Sequence, residues 1–396
     1  MRMTPITFRR INDMKKILLA ALMLLLLPAM LFAGFSYRFD LLSFDPLHQE
    51  YTADRDRAGL DFQWTYVWGW PDGVYQSSWD GSGLTFYPFQ SAPGVKPGGS
   101  TVSDGYDEFP WMGLIHLGET LGLARNTFSF DHWLSPISIG FAFQGSLLLG
   151  FEGGMADMVG YDGVFFYGAE MSVADKVSMR FGLHHYCTHY GDGTLKLLGL
   201  DMNDKVNPGF QMYKKYIRME AFVFGLSIHP WDFIRTYVEY NWISPLVTEH
   251  FDTGFFAPTW RGSKVKDMPD SYNAGIVNFG IELSWPIFPK LGKTTLSYDC
   301  HAYEEGKIVY KKEDLKKEVI GGKPLHLEPY YDANRPWEFE HELVLSQQIN
   351  EIVPFEIGYH HGRVPLTSLY HVQSDYVYVG ARVNPDATVT LYDSAK

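Results

Sequence analysis

The chain contains little that would cross-link it, divide it or anchor it in a membrane by helices. Only two cysteines, Cys187 and Cys300, occur in 396 residues. The strand pattern described below puts them on strands four apart, beyond the reach of a disulfide, so both are predicted to be free thiols. After residue 27 no apolar run is long enough for a transmembrane helix. No Pro/Gly/Ser-rich linker or change of composition is found, which predicts one domain.

Basic residues are also in deficit. Lysine and arginine total 33 against 46 aspartates and glutamates, for a formal net charge of -13. Proteins that bind nucleic acid neutralise phosphates with clustered lysine and arginine. Nucleic acid is therefore not an expected partner.

Residues 1–33 have the composition of a secretory signal peptide. An apolar run over residues 17–27 follows four basic residues, Arg9, Arg10, Lys15 and Lys16. A short stretch of apolar and small residues then leads up to Ala33. This order predicts a peptide cleaved after Ala33, with an uncleaved membrane anchor as the alternative. Since no cysteine follows the run, a lipoprotein is not indicated. Residues 34–57 are too charged to span a membrane and are predicted to be periplasmic.

A period of two residues dominates the rest of the chain. Leu60, Phe62, Trp64, Tyr66 and Trp68 alternate with polar or small residues, and aromatic residues make up 16% of the chain. Such alternation predicts strands with one apolar face. Twelve runs are recognised, starting near Ala58, Phe109, Leu134, Tyr161, Val177, Tyr213, Asp232, Tyr272, Lys293, Trp337, Ile352 and Tyr370.

The runs are too long for an ordinary soluble β-protein. Strands in soluble proteins are mostly about five or six residues long, whereas about ten tilted residues cross a bilayer. The sequence therefore predicts an all-β, transmembrane, antiparallel up-and-down β-barrel over residues 58–384, with a periplasmic tail over 385–396. A soluble β-sandwich or propeller is the alternative.

Connections between the runs alternate in length. Long ones cover 71–108, 191–212, 245–270 and 304–336, and tight ones cover 174–176, 229–231, 288–292 and 350–351. Outer-membrane barrels have long extracellular loops and short periplasmic turns. An even number of strands then places both chain ends in the periplasm.

The polar sides of the strands carry many charges. A carboxylate at the lipid midplane is costly, so these side chains are predicted to line the lumen. The predicted lumen residues are Arg180, His184, Arg218, Glu220, Arg235, Glu239, Glu282, Glu338, Glu340, Glu342, Glu356 and Arg382. The charges fit either a narrow, cation-preferring pore or a salt-bridged, closed interior.

One dense cluster, residues 184–192, lies near the predicted extracellular rim. Alternation places His185, Cys187 and His189 on the lipid side, where a histidine and a nucleophile two residues apart would serve an esterase. The pair resembles the His-x-Ser pair of outer-membrane phospholipase A and the lipid A deacylases, with Cys187 in place of serine. Histidine and tyrosine are also ordinary residues of a barrel rim.

A second rim cluster combines His301 with His360 and His361. With Asp192, Asp299 and Glu356 these residues have the chemistry of a divalent-metal site, but their spacing matches no metal motif. The prediction is therefore no metal and no cofactor.

Three stretches resemble a bacterial family known only as a domain of unknown function and regarded as outer-membrane barrels. They are residues 41–46 (LLSFDP), 151–154 (FEGG) and 180–192 (RFGLHHYCTHYGD). Residues 218–230 and 376–382 resemble its next hairpin and its closing strand. The resemblance implies a location and a fold.

Together these features predict an exported outer-membrane barrel. The favoured role is non-enzymatic, as a narrow channel or a structural, surface-exposed barrel; the alternative is a lipid or lipid A hydrolase. Expected partners are outer-membrane lipids, lipopolysaccharide-type glycolipid and the barrel-assembly machinery, with small solutes or cations in an open lumen.

Overall fold

A computed structural model describes residues 34–68, 77–79, 84–86, 111–152, 158–190, 217–242, 259–260, 263–264, 275–288, 290–304, 308–309, 330–349, 353–363, 373–383 and 388–394. The predicted signal peptide and most of the long connections lie outside these residues. In the described part, no helix is long and apolar enough to span a membrane.

Fourteen strands form one antiparallel sheet. They are β1 (Ser36–Ser43), β2 (Leu60–Trp68), β3 (Trp111–Ser129), β4 (Ile137–Glu152), β5 (Met158–Val173), β6 (Val177–Tyr190), β7 (Ile217–Trp231), β8 (Ile234–Trp242), β9 (Gly275–Phe288), β10 (Gly292–Tyr303), β11 (Glu338–Gln348), β12 (Pro354–Arg363), β13 (Gln373–Val383) and β14 (Thr388–Asp393). Short pairs join Ser77–Trp79 to Leu84–Phe86, Thr259–Trp260 to Ser263–Lys264, and Ile308–Val309 to Tyr330–Tyr331.

Twelve of these strands, β2 to β13, close into a barrel. Each pairs with its neighbour in sequence, and β2 closes the ring by pairing with both β3 and β13. The predicted twelve-stranded antiparallel barrel is therefore confirmed. Closure leaves no unpaired edge in the ring, which a barrel in lipid requires because lipid offers no hydrogen bonds.

Alternation of side chains gives the wall two chemically different faces. On β8, Val238, Tyr240 and Trp242 are exposed on the outside, whereas Arg235 and Glu239 are buried inside. The outer face carries large apolar side chains around the ring, among them Phe62, Phe141, Phe181, Phe224, Phe279, Leu345, Ile357 and Val379. An apolar outer face around a polar interior is the arrangement of a transmembrane barrel.

Tight turns join the strands at one end, here called the short-turn end. At Ala174 and Asp175 the backbone φ angles are 54° and 53°. Two successive positive φ angles are typical of a type I′ hairpin turn, whose twist matches that of the flanking strands. Exposed Trp133, Trp231 and Phe288 lie at this same end, as in an interfacial aromatic girdle.

The two chain ends also contribute to the wall. β1 pairs with residues 122–129 of β3, below the stretch of β3 that pairs with β2, and β14 pairs with β1. The sequence predicts a periplasmic segment over 34–57 and a periplasmic tail over 385–396. Each of these stretches contains a strand, and the two strands extend the wall at its short-turn end.

Between β1 and β2 the chain leaves the wall and enters the barrel. Leu42, near the end of β1, has a φ of 61°, a conformation that costs a non-glycine residue energy and sharply redirects the chain. Residues 46–59, called the lumen segment below, then lie inside the ring before β2 begins. Tyr51, Ala53 and Arg57 in this segment are almost fully buried.

Candidate functional site: the occupied lumen

The lumen segment is folded on itself by local hydrogen bonds. The amide of Asp54 donates to the carbonyl of Tyr51, and the amide of Arg57 donates to the carbonyl of Asp54, both at 3.3 Å. The amide of Asp56 donates to Oδ1 of Asp54 at 2.9 Å. Aspartate commonly closes turns in this way, since its short side chain reaches a backbone amide two residues on. The segment thus satisfies part of its own backbone inside the barrel.

Its first part is fixed by β5 and β6. Glu170 on β5 accepts a hydrogen bond from the amide of Leu47 at 2.9 Å. The ring of His48 is hydrogen-bonded to Ser178 on β6 at 3.1 Å and to the hydroxyl of Tyr51 at 2.5 Å. Because both ring nitrogens of a buried histidine have partners, the first turn is held in one orientation.

Its middle part is clamped by aromatic stacking and an arginine. Tyr51 stacks on Tyr237 of β8 with ring centroids 3.6 Å apart and planes 4° apart. The Arg235 guanidinium lies 4.7 Å from the Tyr51 ring centroid and donates to the backbone carbonyls of Gln49 and Glu50. Cation–π contact and charged hydrogen bonds act together here.

Its last part is held by buried ion pairs with the opposite wall. Arg55 lies 3.2 Å from Glu340 on β11, and Arg57 lies 2.6 Å from Glu356 on β12. Both side chains of the Arg57–Glu356 pair are 3% exposed or less. Such a pair binds two parts of a structure together because losing one partner leaves an uncompensated buried charge.

The lumen segment carries acidic groups of its own. Glu50 accepts a hydrogen bond from Thr120 at 2.5 Å. Burial raises the pKa of Glu50 and of Asp56, because a low-dielectric environment disfavours the charged form.

The wall adds a polar network of its own beneath the segment. Arg180 pairs with Glu239 at 2.6 Å, and His184 bonds with Asn241 at 2.8 Å. His360 lies 2.5 Å from Glu342, and Arg382 lies 3.2 Å from Glu356. The interior of the barrel is therefore a connected set of charged and hydrogen-bonded groups.

Most of the predicted lumen residues lie in this interior. Those buried there are Arg180, His184, Arg235, Glu239, Glu282, Glu340, Glu342 and Glu356; Glu338 and Arg382 are half-buried. Arg218 and Glu220 differ, since their backbones pair with Cys187 and His185 of β6. That register puts both positions on the outer side of the wall, so it does not support their assignment to the lumen. Their side chains lie outside the described residues.

The predicted rim pair His185 and Cys187 lies on the outer face of β6, close to its long-connection end. Both residues are half-buried, and the ring of Phe165 lies 5.8 Å from that of His185. A Cβ atom at Gly163 would come within 2.8 Å of the Cys187 sulfur, so this glycine leaves room for the thiol. Both cysteines of the chain are free. The side chain of His189 lies outside the described residues.

The second predicted cluster is divided by alternation. His301 and His360 are buried in the lumen, whereas His361 is exposed on the outer face. In the strand register, His361 lies opposite His341 of β11 and Asp375 of β13. His341 in turn lies opposite Cys300 of β10.

This outer row of polar residues, Cys300, His341, His361 and Asp375, crosses four adjacent strands. The Nδ1 of His361 lies 2.8 Å from Asp375, and the Nδ1 of His341 lies 2.8 Å from the Tyr298 hydroxyl. Sequence reasoning missed the row because its members come from distant parts of the chain. Only the register between strands aligns them.

No family model and no curated protein matches the chain. Solved structures are similar at low identity. Outer-membrane phospholipase A from Escherichia coli has 9% identity and a TM-score of 0.41, covering 83% of this chain and 92% of that one. The NanC porin has 8% identity and a TM-score of 0.36, covering 82% and 100%. A Pseudomonas aeruginosa FadL homologue has 10% identity and a TM-score of 0.27, covering 89% and 90%. Likeness this weak adds nothing to what the strand pairing itself shows.

Proposed function

We propose that the protein is a structural barrel of the outer membrane whose lumen is closed by its own N-terminal segment. The observation that carries this proposal is the position of residues 46–59 inside the ring. A twelve-stranded barrel is narrow, and the segment contacts wall strands on opposite sides of it. Of the two non-enzymatic roles, the closed barrel is favoured over the narrow channel.

The apolar outer face supports a location in a membrane. Soluble monomers rarely expose contiguous apolar patches larger than a few hundred Å², whereas here large apolar side chains are exposed on strands all around the ring. Outer-membrane lipids and lipopolysaccharide-type glycolipid are the partners that this surface fits. We infer export through the predicted signal peptide.

The contacts of the lumen segment favour stable closure over frequent opening. Withdrawing the segment would separate Arg57 from Glu356 and Arg55 from Glu340 inside the barrel. Breaking one buried pair typically costs about 3–5 kcal/mol. The segment is also tied to the wall at both ends, by β1 and by β2, so it has no free end that could swing out.

Planar-bilayer conductance tests this closure. The full mature chain is expected to give no sustained conductance. A variant with residues 47–57 replaced by a Gly/Ser linker of equal length should conduct, with a preference for cations because carboxylates then line the lumen. Steady conductance by the unmodified chain would favour the narrow channel and overturn the proposal.

A lipid hydrolase is the second candidate, and the outer-face position of His185 and Cys187 favours it. A thiol beside an imidazole, at the level of lipid headgroups, has the components for attack on a lipid ester. A closed lumen is compatible with this role, since the pair lies outside the ring.

Release of fatty acid from phospholipid and from lipid A in mixed micelles tests the hydrolase. The hydrolase predicts turnover that is lost in Cys187→Ala and in His185→Gln, with His361→Gln as the matched histidine control on the same outer face. Absence of turnover in the unmodified chain, or equal turnover in all three variants, removes this candidate.

A further inference from the structure

We propose that the lumen holds one divalent transition-metal cation, Mn²⁺ or Zn²⁺, between the lumen segment and β10. The ligands would be Asp54 and Asp56 of the segment with His301 of the strand. One ligand atom each from Asp54, Asp56 and His301 lies within 4.8 Å of the others. Atoms bound to one such cation at about 2.0–2.2 Å are about 3–4.4 Å apart, so the three side chains would move slightly closer together around the ion.

His301 points to a missing ligand. Its side chain is almost fully buried, and its Nε2 atom has no hydrogen-bond partner. That nitrogen faces Asp299 Oδ1 at 3.1 Å and Asp54 Oδ1 at 3.4 Å. A buried polar atom without a partner is costly. A cation held by Asp54, Asp56 and His301 would give this nitrogen a partner.

Partners in the surrounding structure orient the ligands. The Tyr303 hydroxyl lies 3.1 Å from Nδ1 of His301, which leaves Nε2 as the ligand atom. The Tyr237 hydroxyl donates to Oδ2 of Asp299 at 2.5 Å and leaves Oδ1 directed at His301. Metal-binding histidines and carboxylates are commonly held by such outer contacts.

The local charge also favours a cation. The carboxylates of Asp54, Asp56, Asp299 and Glu340 lie close to His301. The Arg55 guanidinium is shared between Asp56 and Glu340, and Arg180 also acts electrostatically on Asp54. Protonation of His301 would add only one positive charge. A divalent cation bound to a neutral imidazole compensates more of the buried negative charge.

The ligand types select the cation. Imidazole nitrogen suits first-row transition metals, whereas all-oxygen sites suit Ca²⁺ and Mg²⁺. Two ligands come from the lumen segment and one from the wall, so the metal would fasten the segment to β10. This role goes beyond closure, because the barrel can be closed without a metal.

The test is metal binding by the full chain, folded in detergent and freed of metal by EDTA. After equilibration with Mn²⁺ and removal of free ion, mass spectrometry of the metal should find about one Mn²⁺ per chain. His301→Gln and Asp54→Asn should each lose it, and His361→Gln, a histidine change outside the ring, should keep it. Mg²⁺ and Ca²⁺ should not displace the bound ion at equal concentration.

Two outcomes overturn the proposal. One is less than a tenth of an equivalent of Mn²⁺, and of Zn²⁺, on the unmodified chain. The other is undiminished binding by His301→Gln. If the variants do not fold, the unmodified chain still decides, because the electron-spin resonance spectrum of bound Mn²⁺ must show coupling to one imidazole nitrogen. Closure of the lumen is tested separately by conductance, so a chain that binds no metal would not contradict the proposal that the lumen is closed.

Discussion

At the scale of single residues, the interior depends on glycines that make room for large side chains. Gly168 on β5 pairs with Gly182 on β6, and the buried ring of Phe166 lies across both. The Arg180 guanidinium lies 5.2 Å from the centroid of that ring. The glycine pair therefore provides the space for an aromatic platform beneath a buried cation.

The change Gly182→Ala tests this packing. Its Cβ would lie 2.3 Å from the Tyr167 carbonyl oxygen and 2.7 Å from the Phe166 ring. Overpacking of this kind costs about 1–3 kcal/mol, which should appear as a lower free energy of unfolding by guanidinium in detergent. Gly122→Ala is the matched control, since its Cβ would have an ordinary contact at 3.5 Å. Equal stability of the two variants would show that the glycine pair has no packing role.

At the scale of the strand, the two faces of the wall determine which substitutions the barrel tolerates. Val379 lies on β13 with 55% of its surface exposed, between neighbours on β12 and β2 that are also apolar. Trp133 is exposed as well, but it lies in a connection at the short-turn end. Depth in the membrane distinguishes these two sites.

We expect Val379→Arg to lower the free energy of unfolding in lipid vesicles by about 2–4 kcal/mol, the cost of arginine on a lipid-facing strand near the midplane. Trp133→Arg, at the interface, should cost about 0–1 kcal/mol beyond the loss of its ring. Urea titration followed by tryptophan fluorescence measures both. A harmless arginine at position 379 would mean that this face does not meet lipid.

The wall strands could be predicted because each one carries its own two-residue pattern. All twelve predicted runs begin within a few residues of a strand in the structure. The sequence does not predict β1 and β14, because these strands pair with each other across almost the whole length of the chain. Arg38, for example, lies beside Asp393, and no local pattern encodes such a contact. For Arg218 and Glu220, alternation along β7 alone does not fix which side faces the lumen, and the register of β7 against β6 is needed to place them.

At the scale of the whole molecule, the unexpected feature is that the charged N-terminal segment lies inside the barrel. Its charged residues predict that it cannot cross lipid. A polar lumen, however, can hold charged groups when partners inside it offset the cost of removing them from water. The sequence shows the charges of the segment and of the wall separately, and only the closed ring brings them together.

The position of that segment is the central claim, and a double-mutant cycle between Arg57 and Glu356 tests it most directly. Guanidinium titrations in detergent would give the unfolding free energies of the unmodified chain, Arg57→Gln, Glu356→Gln and the double variant. Residues in contact typically show coupling of about 0.5–3 kcal/mol, whereas distant residues add within about 0.5 kcal/mol. The 2.6 Å buried pair predicts coupling above 1 kcal/mol, by that same scale. Additive effects would place the segment outside the lumen and contradict the closed barrel.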